Sequence, residues 1–226
     1  MAQYQVWENE YQNPKLITNS NEPQIDFKHF VKWLRKDRKV ELERLLVLDL
    51  GSGTGKNSIF LSERESIVTG IDLSDTAVRL AKDRSQTAGL NIKFIKSSIG
   101  EIFPFEDNSF DLILDIVSSN SLSDAERKVY LQECRRVLKP EGYVFIKALC
   151  KDGDKHATAL IEKFPGKEKD TYVMPGTGLI ERVWTKKDIT SYYSSFKILN
   201  FERKSSYTSF EGKSYKRNFW LMYLQN

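Results

Sequence analysis

The feature that most constrains this chain is an alternation. From residue 45 to residue 150, short apolar runs and amphipathic stretches take turns. "LLVLDL" (45–50) is apolar until its aspartate, the pattern of a strand buried on both faces. "IVTGID" (67–72), "IKFI" (92–95), "FDLILDIV" (110–117) and "YVFIKALC" (143–150) read as further strands. Between them lie helical stretches. "NSIFLSER" (57–64) is the first. "LSDTAVRLAKDRSQTAGL" (73–90) opens on a cap at Ser74 and ends at Gly89. "SDAERKVYLQECRRVLKPEG" (123–142) starts with a capping box, Ser123 and Glu126, and stops before Pro140 and Gly142. Strand and helix in strict turn make βαβ units, and βαβ units make a mostly parallel sheet.

The flanks differ. "IDFKHFVKWLRK" places Phe27, Phe30, Val31 and Leu34 on one helical face. Residues 151–184 are polar and carry Pro165 and Pro175, which predicts an insertion with one short helix, "HATALIEKF" (156–164). Thr185 caps another helix. "KILNFERKSSYTS" (197–209) and "SYKRNFWLMYLQ" (214–225) read as an antiparallel pair turning near "FEGK". The expected fold is α/β: a doubly wound, mostly parallel seven-stranded sheet with a C-terminal antiparallel hairpin and helices on both faces.

Composition excludes several classes. Hydrophobic residues make up 40% and charged residues 29%, so the chain is neither disordered nor fibrous. No apolar run approaches the roughly 18–20 residues that cross a bilayer, and the first residues show no secretory pattern. Cys134 and Cys150 lack metal-ligand spacing; Cys134 belongs to an apolar helix face. The expectation is a cytoplasmic protein without a metal site. The net charge is +4, and residues 185–226 hold the excess, with eight Lys/Arg against three Asp/Glu. That segment is either a solvated surface or a footprint for an acidic partner such as RNA.

The glycines of "LDLGSGTGK" (48–56) admit three patterns. A phosphate-binding P-loop needs glycine where Leu50 stands and Ser or Thr where Asn57 stands. A dinucleotide fingerprint needs its third glycine at Lys56. Both fail, and Lys56 reads as a helix-surface residue. What remains is G-x-G-x-G, with Gly51, Gly53 and Gly55 after the strand acid Asp49.

That pattern resembles motif I of the class I S-adenosylmethionine-dependent methyltransferases. "VTGIDLS", "PFEDNSFDLILD" and "RRVLKPEGYVFI" are similar to the family's later motifs, in order, over residues 45–147. The resemblance implies S-adenosylmethionine as cofactor. Asp49 would meet its ammonium group, directly or through water. Gly51, Ser52, Gly53 and Gly55 would let the backbone approach the methionine part, with the amides of the next helix facing the carboxylate. Asp72, 21 residues after Gly51, would accept the ribose hydroxyls, beside Leu73. Without the family, Asp72 reads as an N-terminal cap of the next helix. The family's adenine-binding acid is missing, and Ser98 and Ile99 stand there instead. Asp115 and Ile116 would lie beside the reactive methyl group. Trp7 and Tyr11, four apart in a helical segment, either cover the pocket or dock on the core.

The resemblance implies that residues 1–226 form one methyltransferase domain: a helical lid segment (1–40), a cofactor-binding core (45–150), an acceptor-side insertion (151–184) and a closing helix with two strands (185–226). The methyl acceptor is a small molecule or a protein, or RNA if the basic end is a footprint; a non-catalytic binding module is the third reading. The fold leaves the acceptor open. No side chain is identified as a general base, and His29 and His156 read as surface or packing residues.

Overall fold

Nine strands and seven helices account for the regular structure in a computed structural model that describes residues 3–14, 22–210 and 213–226. In chain order they are α1 (Tyr4–Gln12), α2 (Ile25–Asp37), β1 (Leu46–Leu50), α3 (Lys56–Ser62), β2 (Ile67–Asp72), α4 (Asp75–Thr87), β3 (Lys93–Lys96), β4 (Phe110–Ile116), α5 (Asp124–Val137), β5 (Leu138–Leu149), α6 (Lys155–Lys163), β6 (Thr171–Val173), β7 (Ile180–Arg182), α7 (Lys186–Tyr192), β8 (Lys197–Phe210) and β9 (Lys213–Gln225). A short 3₁₀ turn, Ser119–Ser121, follows β4.

Seven strands form one sheet in the order β3-β2-β1-β4-β5-β9-β8. The first five run parallel; β9 is antiparallel to β5, and β8 to β9. This is the expected fold. The turn near "FEGK" falls on residues 211–212, outside the described residues. The chain winds outward from β1 to β3, then returns to the other side of β1 as β4. The carboxyl ends of β1 and β4 therefore part at a topological switch point, where open α/β sheets leave a crevice.

Side-chain parity divides the core. Leu48 and Leu50 of β1 pack with Tyr130, Cys134 and Val137 of α5 and Ile189 of α7. Val47, one residue out of phase, packs with Phe27, Phe30 and Leu34 of α2 and with Val78 and Ala81 of α4. Phe30 stacks on Phe145 of β5 with ring centroids 4.7 Å apart, and each such buried ring contributes on the order of 2–3 kcal/mol. The Ser123–Glu126 capping box opens α5, with both reciprocal hydrogen bonds made.

Two local expectations need correction. Strand pairing at β5 begins at Leu138, not at residue 143, because Leu138 pairs with Phe110 before a bulge carries the register to Tyr143 opposite Leu112. The insertion holds more than a helix: Thr171–Val173 and Ile180–Arg182 pair as a second, two-stranded sheet. Its side chains, with Leu160 of α6 and Phe219 of β9, form a separate apolar cluster that includes Trp7 of α1.

Candidate functional site

The glycine loop is built by backbone conformation. Gly51, Gly53 and Gly55 all take positive φ, at 65°, 55° and 79°, a region closed to most side chains. Their surroundings differ. A Cβ on Gly51 would lie 2.4 Å from Ser118 Oγ, and one on Gly53 2.8 Å from Tyr11 Oη. These two glycines thus let the loop meet the β4 loop and α1 closely. A Cβ on Gly55 would instead strike Phe94 and Ala81. Gly55 serves helix–sheet packing, where its Cβ position faces Phe94 and Ala81.

Two buried carboxylates stand behind the loop. Asp49 shares the Val47 face of β1, so it meets α3, where Ser58 Oγ donates to it at 2.6 Å. Burial pushes Asp49 up to about 6, against the Ser58 hydrogen bond and with the charges of Asp72 and Asp115 adding to it. Asp72 Oδ2 accepts from Gly53 N and Oδ1 from Ser74 N, both at 2.9 Å. Burial pushes it, too, up to about 6, against those backbone hydrogen bonds. The helix cap is Ser74, whose hydroxyl accepts from Ala77 N, so Asp72 orders the loop and leaves the capping to its neighbour.

A cavity of about 580 Å³ opens on this loop. Its walls bring together Tyr11, Asp49, Gly51, Ser52, Gly53, Asp72, Leu73, Ser98, Ile99 and Ile116. Asp115 is not among them. Parity puts its side chain on the α5 side with Ile113, where Oδ2 accepts from Tyr130 Oη at 2.7 Å and Oδ1 from Ser118 N and Ser119 N. It holds the loop after β4 in shape, with its carboxylate turned toward the α5 side. Lys56 also departs from expectation: it lines the cavity, half-buried, and burial lowers its pKa. Ser52 Oγ and Asn57 Oδ1, on cavity-lining residues, are buried without a hydrogen-bond partner among the described residues.

The first helix closes one side. Trp7 and Tyr11 both line the cavity, ring centroids 6.2 Å apart. The sequence reading missed what anchors them. Glu8, buried, accepts from Ser74 Oγ at 2.5 Å, from Thr76 Oγ1 at 2.6 Å and from Thr76 N at 3.2 Å. Gln3 bridges Ser121 O and Ile180 O while accepting from Ile180 N, tying the start of α1 to β7 and to the 3₁₀ turn. No periodicity announces such polar anchors.

Residues from the insertion and from β9 complete the walls: His156, Met174, Leu179, Glu181, Tyr215, Arg217 and Phe219. Leu149 and Lys147 come from β5. Lys147 is buried, and Asp26 Oδ2 accepts from it at 2.8 Å. A lone lysine in a strand buried on both faces was the one sequence signal that could have marked it. His29 stays exposed on α2. Cys134 is buried in the core, as its helix face implied. No helix among the described residues is long and apolar enough to cross a membrane.

Comparison with known proteins places this geometry. A family model described as "Methyltransferase domain" matches residues 47–142. A solved S-adenosylmethionine-dependent methyltransferase from Methanosarcina mazei superposes with a TM-score of 0.72 at 26% identity, covering 84% of this chain and 97% of that one. Phthiotriol/phenolphthiotriol dimycocerosates methyltransferase 1 of Mycobacterium ulcerans is 33% identical over 127 residues, 55% of this chain and 44% of its own length. Ubiquinone biosynthesis O-methyltransferase of Saccharophagus degradans is 25% identical over 125 residues, 55% of this chain and 52% of its own. The matched stretch thus spans about half the length of these curated relatives.

Proposed function

Because the chain belongs to the class I S-adenosylmethionine-dependent methyltransferases, we propose that it moves the methyl group of that cofactor to an oxygen nucleophile on a small molecule with an apolar body. The observation that carries this reading is one cavity that joins the glycine loop, Asp49 and Asp72 to an acceptor-side wall of Leu149, Met174, Leu179 and Phe219.

The residues suit the cofactor's chemistry. It has no phosphate; it offers an ammonium group, a carboxylate, ribose hydroxyls, adenine and a sulfonium. When bound, it supplies an activated methyl group to in-line attack. Asp72 is assigned the ribose hydroxyls, since each oxygen already holding a backbone amide has a lone pair left. Asp49 is assigned the ammonium group, directly or through water. Ser52 Oγ and Asn57 Oδ1, orphaned in the protein alone, await polar partners, as buried polar groups do. Ser98 Oγ accepts from Gly100 N at 3.1 Å and keeps a hydrogen to donate to the adenine ring, next to the backbone of Ile99. Leu73, Ile116 and Tyr11 supply walls. The protein's work is to align two reactants and keep water out.

Relatives named as O-methyltransferases support the oxygen acceptor. The small-molecule reading also gains from the fate of the C-terminal cations. Arg217 is buried and paired with Asp154, and Arg203 donates to Asp152 O. Of the basic excess, Arg217 is therefore spent inside the molecule rather than displayed to RNA, while Arg203 stays exposed.

Calorimetry with S-adenosylmethionine tests the reading. The wild type binds, and Asp72→Asn weakens binding at least 30-fold, the loss of about 2 kcal/mol expected for hydrogen bonds to an ionised acceptor. A wild type that takes up no heat overturns it. Labelled-methyl transfer to small-molecule, protein and RNA fractions then identifies the acceptor class.

A further inference from the structure

The cavity wall carries one buried acid that the cofactor does not need. Glu181 is the middle residue of β7. Ile180 beside it is 39% exposed, whereas Glu181 is 8% exposed and lines the cavity. It stands directly opposite Tyr172 of β6, whose hydroxyl donates to Glu181 Oε2 at 2.7 Å. Arg217 Nη2 donates to Tyr172 Oη at 3.2 Å, and Arg217 Nε donates to Asp154 Oδ2 at 3.0 Å. Asp154 is fixed in turn by Asn218 N and Ala157 N. This chain of polar groups ends at the Glu181 carboxylate on the cavity wall, where the Tyr172 hydroxyl takes Oε2.

Charge balance does not require Glu181, because Asp154 already neutralises Arg217. A glutamine would satisfy the Tyr172 hydroxyl equally well. A buried carboxylate is costly to keep, and the property it has over the amide is the ability to take a proton. We propose that Glu181 receives the proton of the methyl acceptor, and that the acceptor is a neutral hydroxyl compound, phenol or alcohol, rather than a carboxylate. The proposal rests on the methyl-transfer reading above. In the step, the hydroxyl oxygen bonds the methyl carbon as the carbon–sulfur bond breaks with its electron pair to sulfur. The hydroxyl proton passes to Glu181 Oε1, leaving methyl ether, S-adenosylhomocysteine and a protonated Glu181. An acceptor that is itself an anion meets repulsion from the ionised Glu181.

The groups around Glu181 are few. Tyr172 from β6 and Arg217 from β9 act on it directly; Asp154 reaches it only through Arg217, and His156 at the start of α6 lines the same cavity. Burial raises the Glu181 pKa, with Arg217 and Tyr172 working against it, which brings a base toward the working range. His156 is the competing base. It lies on Tyr215, ring centroids 4.3 Å apart, and its pKa is lowered by burial and by Arg217.

The probe is 4-nitrophenol, whose ionisation is read by absorbance, added to protein saturated with S-adenosylhomocysteine at pH 5.5 to 8.5. In the wild type the bound phenol stays protonated about one pH unit above its free value, since a neighbouring carboxylate disfavours the phenolate. Glu181→Gln abolishes that shift and weakens 4-nitrophenol binding about tenfold at pH 7. It leaves S-adenosylhomocysteine binding within twofold, which also reports that the variant is folded. Glu181→Asp, the second variant should the amide destabilise the wall, retains the shift, and His156→Asn leaves it intact. Binding of S-adenosylhomocysteine without any 4-nitrophenol signal, a Glu181→Gln profile equal to the wild type, or a shift lost in His156→Asn overturns the proposal. Failure of the wild type to bind S-adenosylhomocysteine instead removes the reading beneath it.

Discussion

Removing the carboxylate of Glu8 tests whether charge, and not packing alone, holds α1 on the core. Three hydrogen bonds run to Glu8 from the first turn of α4: Ser74 Oγ at 2.5 Å, Thr76 Oγ1 at 2.6 Å and Thr76 N at 3.2 Å. A hydrogen bond to an ionised group is worth about 1.5–3 kcal/mol. The donors on α4 regain water when α1 lifts, so the sum shrinks to roughly 2 kcal/mol, and the negative charge at the α4 N-terminus adds about 0.5 kcal/mol. Glu8→Ala should therefore favour the lifted state by about 2–3 kcal/mol, or roughly 30- to 150-fold. The assay is hydrogen exchange of the amides of residues 4–12 at pH 7, with S-adenosylmethionine affinity measured alongside. The pH dependence supplies a second check. Burial pushes Glu8 up, but hydrogen bonds from Ser74, Thr76 and Gln12 outweigh it and hold the pKa below its ordinary 4.5. A depressed carboxylate stabilises the docked state above its ordinary value and loses that effect as pH falls through the lower, docked value. Wild type and variant should thus differ at pH 7 and converge in acid. Protection within threefold of the wild type at pH 7 would refute the reasoning and leave Trp7 and Gln3 as the anchors.

Two further outcomes follow from the glycine loop and its acids. Gly51→Ala combines positive φ with a Cβ 2.4 Å from Ser118 Oγ; it should cost about 2 kcal/mol, lower the melting temperature by roughly 4–8 °C and weaken S-adenosylmethionine binding more than tenfold. Gly89→Ala, with φ of +68° but nothing within 4 Å, should show only the modest loss of stability, and equal effects at both positions in calorimetry would sink the close-approach argument. Burial raises Asp49 and Asp72 from 3.8 to about 6, so their contribution to the stability of the protein alone is fully present below 3.8 and lost as pH rises through about 6. A ligand with an ammonium group and ribose hydroxyls prefers both acids ionised, so the thermal shift it produces should grow from pH 5 to pH 7.5; a flat profile by scanning fluorimetry would refute their assignment.

What the sequence discloses divides along a physical line. The order of elements was legible, because hydrophobic period and caps are local: Ser74, the Ser123–Glu126 box and Thr185 each open the helix expected of them. The direction of a side chain at a strand's end was not. Asp49 and Asp115 both close apolar runs, and pattern alone treats them alike. Register sets Asp49 opposite Leu114 and Asp115 opposite Leu50, and the two strands thereby aim their acids at opposite layers. One reaches α3 and the cavity; the other reaches Tyr130 and the core. Lys56 was misread for a related reason. Its phosphate-binding motif failed, but the loop still delivers the first residue of α3 to the same crevice.

The proposed acceptor side was least legible because nothing local builds it. Glu181 lies within "LIERVW", where a three-residue strand offers too short an alternation to reveal its inward face. Arg217 lies among the cations of β9 and reads as a surface charge until Asp154, 63 residues away, is seen to hold it. The core strands, by contrast, carry their burial in their own composition. The residues proposed to hold the cofactor come from the ends of those strands, so they inherit the legibility of the core. The residues proposed to face the acceptor come from an insertion of two short strands and one helix, fixed by side-chain hydrogen bonds between distant segments. The same separation explains how one fold can keep its cofactor and change its acceptor: the polar chain from Asp154 to Glu181 is anchored on the insertion and β9, and its substitution leaves the glycine loop's own hydrogen bonds untouched.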